Sequence, residues 1–562
     1  MKLRWKILGG FALAAIIGGT YVYQNRVDII LNRVAKMGKP EVGATIDIDW
    51  AQGPLEGPAQ ASNENRPPNI VFILADDLGI NDISTFGGGL AGGKVQTPNI
   101  DRLAADGAIF TQAYAGNATC APSRAMLMTG RYPTRTGYEY TPTPPGMGRM
   151  VTMIANDLKS KSDSPLPRNV YTKPEGDVPD FYGQGLPSEE ITIAETLKDK
   201  GYHTVHIGKW HLGYGDRAAH NQGFNESLHM DDMYYLPKDD PNVVNAELDF
   251  DPIDKFLWAR GDFANSFNGG DGFRPAGYLT DYWTDESLKV IEANKDRPFF
   301  LYLAHWGVHT PLQSTKEDYE AVSEMVGEDA SHRLKVYGGM LRALDRSVGR
   351  VMNKLETEGL AENTIIVFSS DNGGAGYIGV DGVNAPYRGW KLTMFEGGIK
   401  APMFVKWPAR IEAGTQIDTP VAHIDLMPTL AAAAGAELPN IPIDGRNMLS
   451  LIAADGEFTR EDDALYWQSG YLQVVRAGDW KLQHEGRRDK NWLFNLADDP
   501  TEQNNLAEAH PEKLAELTKL LEKHQAGRTQ SLYPYSMESP IQIDKTLADE
   551  AAKDDVVAWW PN

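Results

Sequence analysis

Asn69-Ile-Val-Phe-Ile-Leu-Ala-Asp-Asp-Leu-Gly79 is the stretch from which the fold is read. Asn69 to Leu74 runs without a charge and then meets two adjacent acids and a glycine. A short apolar run bounded in this way reads as a strand of a parallel sheet, buried on both faces. The arrangement recurs along the chain. His203 to Ile207 leads into Gly208-Lys209-Trp210-His211, Phe299 to Ala304 into His305-Trp306-Gly307-Val308-His309, and Ile365 to Ser369 into Ser370-Asp371-Asn372-Gly373. Helical patterns lie between them, among them Ile191 to Lys200, stopped by Gly201, and Leu334 to Leu355. Strands alternating with helices imply an α/β fold, a mostly parallel sheet sandwiched by helices. Ligands of such sheets bind beyond the carboxyl ends of the strands. Each run delivers polar residues there, so one shared site is expected.

Thr119 to Arg131 holds Cys120, the only cysteine among 562 residues. A lone cysteine forms no internal disulfide, and by itself it reads as a buried, inert thiol. Its neighbours say more. Pro122 and Ser123 suit the start of a helix, where backbone N–H groups lack partners and attract anions. Arg124 adds a permanent forked cation one helical turn on, and Gly130 ends the helix. The stretch reads as an anion-binding nest with a nucleophile at its mouth.

Asp76-Asp77 and Asp371-Asn372 each precede glycine at a strand end. Singly, such pairs cap turns. Two of them at parallel-strand ends offer oxygen ligands for a hard cation such as Ca²⁺ or Mg²⁺. No Cys/His cluster has zinc spacing. Lys209 and His211, two apart, face one side of an extended segment.

Lys and Arg total 54 against 77 Asp and Glu, a net charge of −23. Such a surface repels nucleic acid, so no nucleic-acid partner is expected, and an anionic substrate must meet a local basic pocket. Lys2, Arg4 and Lys6 precede the uncharged run Ile7 to Tyr23. Residues 1–23 read as a signal anchor or signal peptide, which would place the body on the periplasmic or extracellular side with a possible membrane tether through residues 7–23. Residues 24–66 read as a linker, 67–440 as the catalytic domain, 441–529 as a C-terminal subdomain and 530–562 as an extension without a functional reading. Residues 138–185 and 212–282 are insertions rich in Pro, Gly and aromatics. Tyr234, Tyr235, Trp258, Phe267, Tyr278, Tyr282 and Trp283 read mainly as loop packing, with a minority available for a substrate rim.

Cys120-Ala-Pro-Ser-Arg124, followed by Leu127, Thr129, Gly130 and Arg131, resembles the signature of the type I, arylsulfatase-like sulfatases of the alkaline-phosphatase superfamily. The matching motifs run from Asp76 to Glu396 in family order, through Gly-Lys209-Trp-His211, His309-Thr-Pro and Arg-Gly-Trp-Lys391-Leu-Thr-Met-Phe-Glu-Gly-Gly. Arg476-Ala-Gly-Asp-Trp-Lys-Leu482 and the 499–506 segment match patterns of the family's smaller C-terminal α+β domain, an antiparallel sheet with a helix.

The resemblance implies an alkaline-phosphatase-like sheet and hydrolysis of a sulfated carbohydrate or an aryl or alkyl sulfate. It implies conversion of Cys120 to Cα-formylglycine by a formylglycine-generating enzyme. It assigns Asp76, Asp77, Asp371 and Asn372 as ligands of one Ca²⁺ per chain, completed by the nucleophile's oxygen at Cys120. Arg124, Lys209 and Lys391 would hold the sulfate, and Asp371 would take the nucleophile's proton. His309, with Lys391, would protonate the leaving alcohol, and His211 would restore the aldehyde. Two rival readings stay open: a phosphonate monoester or phosphodiester hydrolase of the same superfamily, and an inactive surface carbohydrate-binding protein.

Overall fold

A computed structural model describes residues 26–35, 41–53, 66–144, 146–173, 178–453, 456 and 458–562. Among them, nine strands build the principal sheet: β1 (Asn69–Ala75), β2 (Ala108–Phe110), β3 (His203–Gly208), β4 (Glu226–Met230), β5 (Asn265–Phe267), β6 (Phe299–Ala304), β7 (Thr364–Ser370), β8 (Met403–Lys406) and β9 (Thr415–Ile417). Their order is β9-β2-β8-β7-β1-β6-β3-β4-β5. The central block from β7 to β4 is parallel throughout. The flanks mix directions: β8 is antiparallel to β7 and to β2, and β5 to β4, while β9 joins β2 in parallel.

The helices used below are α1 (Arg26–Ala35), α2 (Pro98–Ala105), α3 (Cys120–Thr129), α4 (Ile193–Asp199), α5 (Leu279–Ala293), α6 (His332–Thr357), α7 (Leu426–Ala434) and α8 (Pro511–Gln525). All seven residues of β1 are buried, and successive side chains go to opposite faces. Val71 and Ile73 join a core with residues of α2, α5 and α6. Ile70, Phe72 and Leu74 join a second core with α3, α4 and α7. Helices therefore cover both faces, which is why the strands read as continuous apolar runs instead of alternating ones.

The C-terminal part forms a four-stranded antiparallel sheet of β10 (Ala464–Ser469), β11 (Leu472–Ala477), β12 (Trp480–Glu485) and β13 (Lys490–Asn495). Leu517 and Leu521 of α8 pack into its core with Val474, Val475 and Leu482. Residues 530–562 are woven into the body. β14 (Met537–Gln542) pairs with β15 (Val557–Pro561) and with Val170–Tyr171.

The described parts of residues 24–66 correct the expectation of a linker. Val27 and Leu31 of α1 are buried against Phe256, Leu257 and Ile154. Ile48 and Trp50 enter the main core, and Trp50 Nε1 donates to Glu286 at 2.7 Å. The segment is polar in composition, but its few apolar residues are spaced to dock, and composition averages that away. The insertions also contain helices, Met147–Ser162 and Pro252–Arg260. Among the aromatics read as packing, Tyr234, Tyr235, Trp258, Tyr278, Tyr282 and Trp283 are indeed buried. The signal segment at residues 1–23 lies outside the described residues; among the described ones no helix is long and apolar enough to cross a membrane.

Candidate active site

β1, β7, β6 and β3 are adjacent and parallel, so the polar residues after each of them emerge at one edge of the sheet. Helix α3 brings the cysteine to that edge. Thr119 is extended and caps the helix, Cys120 is its first residue, and all ten residues are buried. The helix thus begins two residues before Pro122. Pro122 still falls among the first positions, whose N–H groups have no intrahelical acceptor, so the ring costs no hydrogen bond. Gly130 closes the helix in the left-handed region (φ 65°), its N–H bonded to Met126 O at 2.9 Å.

The side chains interlock. Arg124, fully buried, binds Asp76 Oδ2 through Nη2 (2.9 Å), Asp371 Oδ2 through Nε (2.9 Å) and the Lys209 carbonyl through Nη1 (2.7 Å). Lys209 Nζ lies 2.6 Å from Asp76 Oδ2. Lys391 Nζ reaches Asp77 Oδ1 at 2.6 Å and Cys120 Sγ at 3.2 Å. Cys120 Sγ is 3.5 Å from Asp76 Oδ1 and 3.8 Å from Asp77 Oδ1. His309 Nε2 lies 3.5 Å from Asp77 Oδ2, and ligand atoms of Asp76, Asp77, Cys120 and His309 all fall within 4.8 Å of one another. Asp371 also accepts the Asp77 backbone N–H at 3.3 Å, and Asn372 Nδ2 donates to Asp77 Oδ1 at 2.8 Å. His211 has a left-handed backbone (φ 62°), and its Nδ1 is buried without a partner among the described residues. The structure therefore brings every residue expected at the site to one place.

Burial dominates the electrostatics. It raises Asp76 to about 6, reinforced by Asp371 and opposed by Lys209 and Arg124. Asp77 has the same burial, yet Lys391 and Lys209 and the hydrogen bonds from Lys391 and Asn372 leave it below its usual value. Burial and the Asp371 carboxylate push the Cys120 thiol well up, against Lys209 and Lys391. His309 is driven well down by burial and then by Lys391 and Lys209. His211 is driven down by burial, Lys209 and Arg124. Burial works hardest against the Lys391 charge, but Asp77, Cys120, Tyr377 and Asp76 together hold it well above its usual value.

Several supporting residues were not legible in the sequence. Tyr377 donates its hydroxyl to Asp77 Oδ2 at 2.7 Å. Trp306 stacks on His309, with centroids 3.9 Å apart and planes at 23°, and Lys209 Nζ sits 4.6 Å from the same indole. Tyr235 donates to the carbonyls of Trp306 (2.7 Å) and His309 (2.9 Å), fixing the turn after β6. Tyr377 follows Asp371-Asn372 by only a few residues, a weak signal; Tyr235 offered none.

Three buried carboxylates and an amide suit a hard cation. Asn372 Oδ1 is buried and accepts no hydrogen bond among the described residues. A buried acceptor left unmet costs about 1–3 kcal/mol, and a cation among these oxygens would satisfy it.

The family model of sulfatases matches residues 68–436, and that of the C-terminal part of N-sulphoglucosamine sulphohydrolase matches 388–530. Human arylsulfatase A is 32% identical over 424 residues, covering 73% of this chain and 72% of its own. Human steryl-sulfatase is 29% identical over 568 residues, covering 83% and 88%. The crystal structure of Ps i-CgsB in complex with k-i-k-neocarrahexaose superposes with a TM-score of 0.67 at 28% identity, over 83% of this chain and 95% of that one. With two thirds of its length inside the first family model and its motif residues gathered at one edge of the sheet, the chain belongs to the sulfatase family of the alkaline-phosphatase superfamily and is a sulfuric ester hydrolase.

Proposed function

We propose that Cys120 is converted to Cα-formylglycine and that sulfate monoesters are hydrolysed at its hydrate, beside one Ca²⁺ held by Asp76, Asp77, Asp371 and Asn372. One observation carries this reading. The chain's sole cysteine lies among Asp76, Asp77 and Lys391, where burial and carboxylates hold its thiol protonated. Thiolate chemistry is disfavoured there, so Sγ marks the place of an oxygen.

When present, the hydrate supplies two geminal hydroxyls, one to attack sulfur and one whose deprotonation restores the aldehyde. A calcium held by Asp76, Asp77, Asp371 and Asn372 would supply fixed positive charge to the site. The chain's own residues do the rest. Arg124, Lys209 and Lys391 oppose the charge of the sulfonate oxygens as the S–O bond breaks; one such preorganised group is worth on the order of 10²–10³ in rate. Asp371 holds the nucleophile's proton. Lys391, whose proton Asp77 helps to hold, and His309, stacked on Trp306, together deliver a proton to the departing alcohol. His211 accepts the proton of the second hydroxyl. The carboxylates of Asp76, Asp77 and Asp371 make the pocket less positive than Arg124, Lys209, Lys391 and a divalent ion would by themselves, so the second charge of a phosphate monoester gains little there.

Export, and an encounter with a formylglycine-generating enzyme during synthesis, belong to the same proposal. They rest on Lys2, Arg4 and Lys6 ahead of an uncharged run and on the intact modification signature. Mass spectrometry of the peptide spanning Cys120, before and after a hydrazide probe, tests the modification, and turnover of 4-nitrophenyl sulfate tests the chemistry. The aldehyde mass in the active fraction is expected. Full activity from protein carrying only the thiol would sink the reading.

A further inference from the structure

The segment before α4 places aromatic rings beside the active-site loop. Tyr182 is 68% exposed, the most exposed large apolar side chain among the described residues. It does not stand alone. Its ring lies 5.2 Å from Tyr214 and 5.8 Å from Phe181, and Phe181 and Tyr214 are 5.5 Å apart.

The backbone beneath is anchored. Asp180 accepts the Gly183 N–H at 2.8 Å. Gln184 exchanges two hydrogen bonds with the backbone of Thr143 and donates a third to Pro179 O. Leu186 N–H bonds Leu212 O at 2.9 Å, which ties the segment to the loop that carries Lys209 and His211. Tyr214 follows His211 by three residues, a reach of at most about 10 Å.

Arg217 completes the group. Its stem lies along Gly185 and Gly213, where an added Cβ would meet it at 2.9 and 2.7 Å. Its Nε is buried without a partner, and no acid pairs with its guanidinium among the described residues. In a chain of net charge −23, an arginine without an acid beside a site for anions stands out from its surroundings.

We propose that Tyr182, buttressed by Phe181 and Tyr214, and Arg217 form a subsite that binds the sugar ring next to the scissile residue of a sulfated oligosaccharide. The aromatic face takes the apolar face of the ring. The guanidinium fork takes a second sulfate or carboxylate on the same chain. Because the rings stand on an anchored backbone, little ordering is left to oppose binding. The inference rests on the sulfate-ester chemistry proposed at Cys120 and specifies its substrate as a multiply anionic carbohydrate.

The test uses the full-length, modified enzyme with size-graded carrageenan and chondroitin sulfate oligosaccharides, and with 4-nitrophenyl sulfate, which is too small to span the subsite. Tyr182→Ala is expected to raise KM for oligosaccharides about tenfold at unchanged kcat, and Tyr182→Trp to restore it. Arg217→Gln should lower kcat/KM only for oligosaccharides bearing a second anionic group. Both variants should hydrolyse 4-nitrophenyl sulfate at the wild-type rate, which also reports that they fold. Equal losses on large and small substrates would overturn the subsite. So would a wild-type enzyme that cleaves 4-nitrophenyl sulfate but none of the oligosaccharides. A wild-type enzyme inert towards every one of them overturns the chemistry at Cys120 and the subsite together.

Discussion

Two buried charge clusters lie at the two ends of the Lys391–Glu396 loop, and they are built on opposite terms. At one end Lys391 joins Asp77 and Cys120. At the other, Lys481 of β12, fully buried, lies 2.9 Å from both Glu396 and Glu502. Glu396 also accepts from the Tyr114 hydroxyl at 2.7 Å, Glu502 accepts the Glu396 N–H at 2.6 Å, and Arg476 donates to Tyr114. In this second cluster the charged groups meet each other, and it joins the C-terminal sheet to the catalytic domain. The first cluster is left open: Asn372 Oδ1 and His211 Nδ1 have no partner among the described residues, and the thiol is held protonated among carboxylates. A closed buried network rigidifies, and an open one retains capacity for a ligand. Both clusters are buried, and the difference lies in which polar atoms are left unmet.

Substitutions at the two ends should separate them, and the largest effect belongs to the open cluster. Cys120→Ala is expected to lower kcat on 4-nitrophenyl sulfate by on the order of 10⁵-fold or more, with a thermal midpoint close to wild type. A large loss of stability in this variant would put Cys120 in the structural class instead.

Lys481→Met should do the reverse. It leaves Glu396 and Glu502 buried without their cation, so about 3–5 kcal/mol of stability should go, read from urea midpoints, while the molecules still folded keep their rate. Lys391→Ala provides the matched control on the same loop. Its kcat should fall roughly 10²–10³-fold, with a smaller shift in the urea midpoint than Lys481→Met. If the two lysines change the same observable, the distinction between site and joint fails.

Chelation adds a test of the open cluster. EDTA should cut turnover more than about tenfold, with Ca²⁺ restoring it, through a loss of charge stabilisation worth over about 1.4 kcal/mol. Full activity in metal-stripped protein would overturn the metal assignment.

The smallest effect concerns pH. Burial and Glu396 raise the Glu502 carboxyl from 4.5 to about 7, although Lys481 opposes them. A raised carboxyl stabilises the fold below its unfolded value, and that contribution is lost as pH rises through about 7. The difference in thermal midpoint between wild type and Glu502→Gln should therefore move against the wild type by a few degrees between pH 5 and 8. A constant difference across that range would show that Glu502 titrates normally.

How much of this was readable in the chain follows from the range of each signal. Asn69–Ala75 and Phe299–Ala304 were legible because burial on both faces writes an unbroken apolar run into consecutive residues. Asp76, Asp77, Cys120, Arg124, Lys209, His211, His309, Asp371, Asn372 and Lys391 were legible because each lies in a short local motif at a strand end or a helix start. The sequence by itself thus determined the four adjacent parallel strands at the centre of the sheet, the chemistry available at their carboxyl ends and the family. Only the tertiary structure decided that residues 26–35 and 41–53 pack on the body, that Trp306 stacks on His309, that Tyr377 leans on Asp77, and that Glu396 is locked to Lys481 and Glu502. The physical reason is separation along the chain. Asp77 and Tyr377 are 300 residues apart, and Glu396 and Lys481 are 85 apart. No local period or motif encodes such pairings; they arise when the order of strands in the sheet brings distant segments to the same edge.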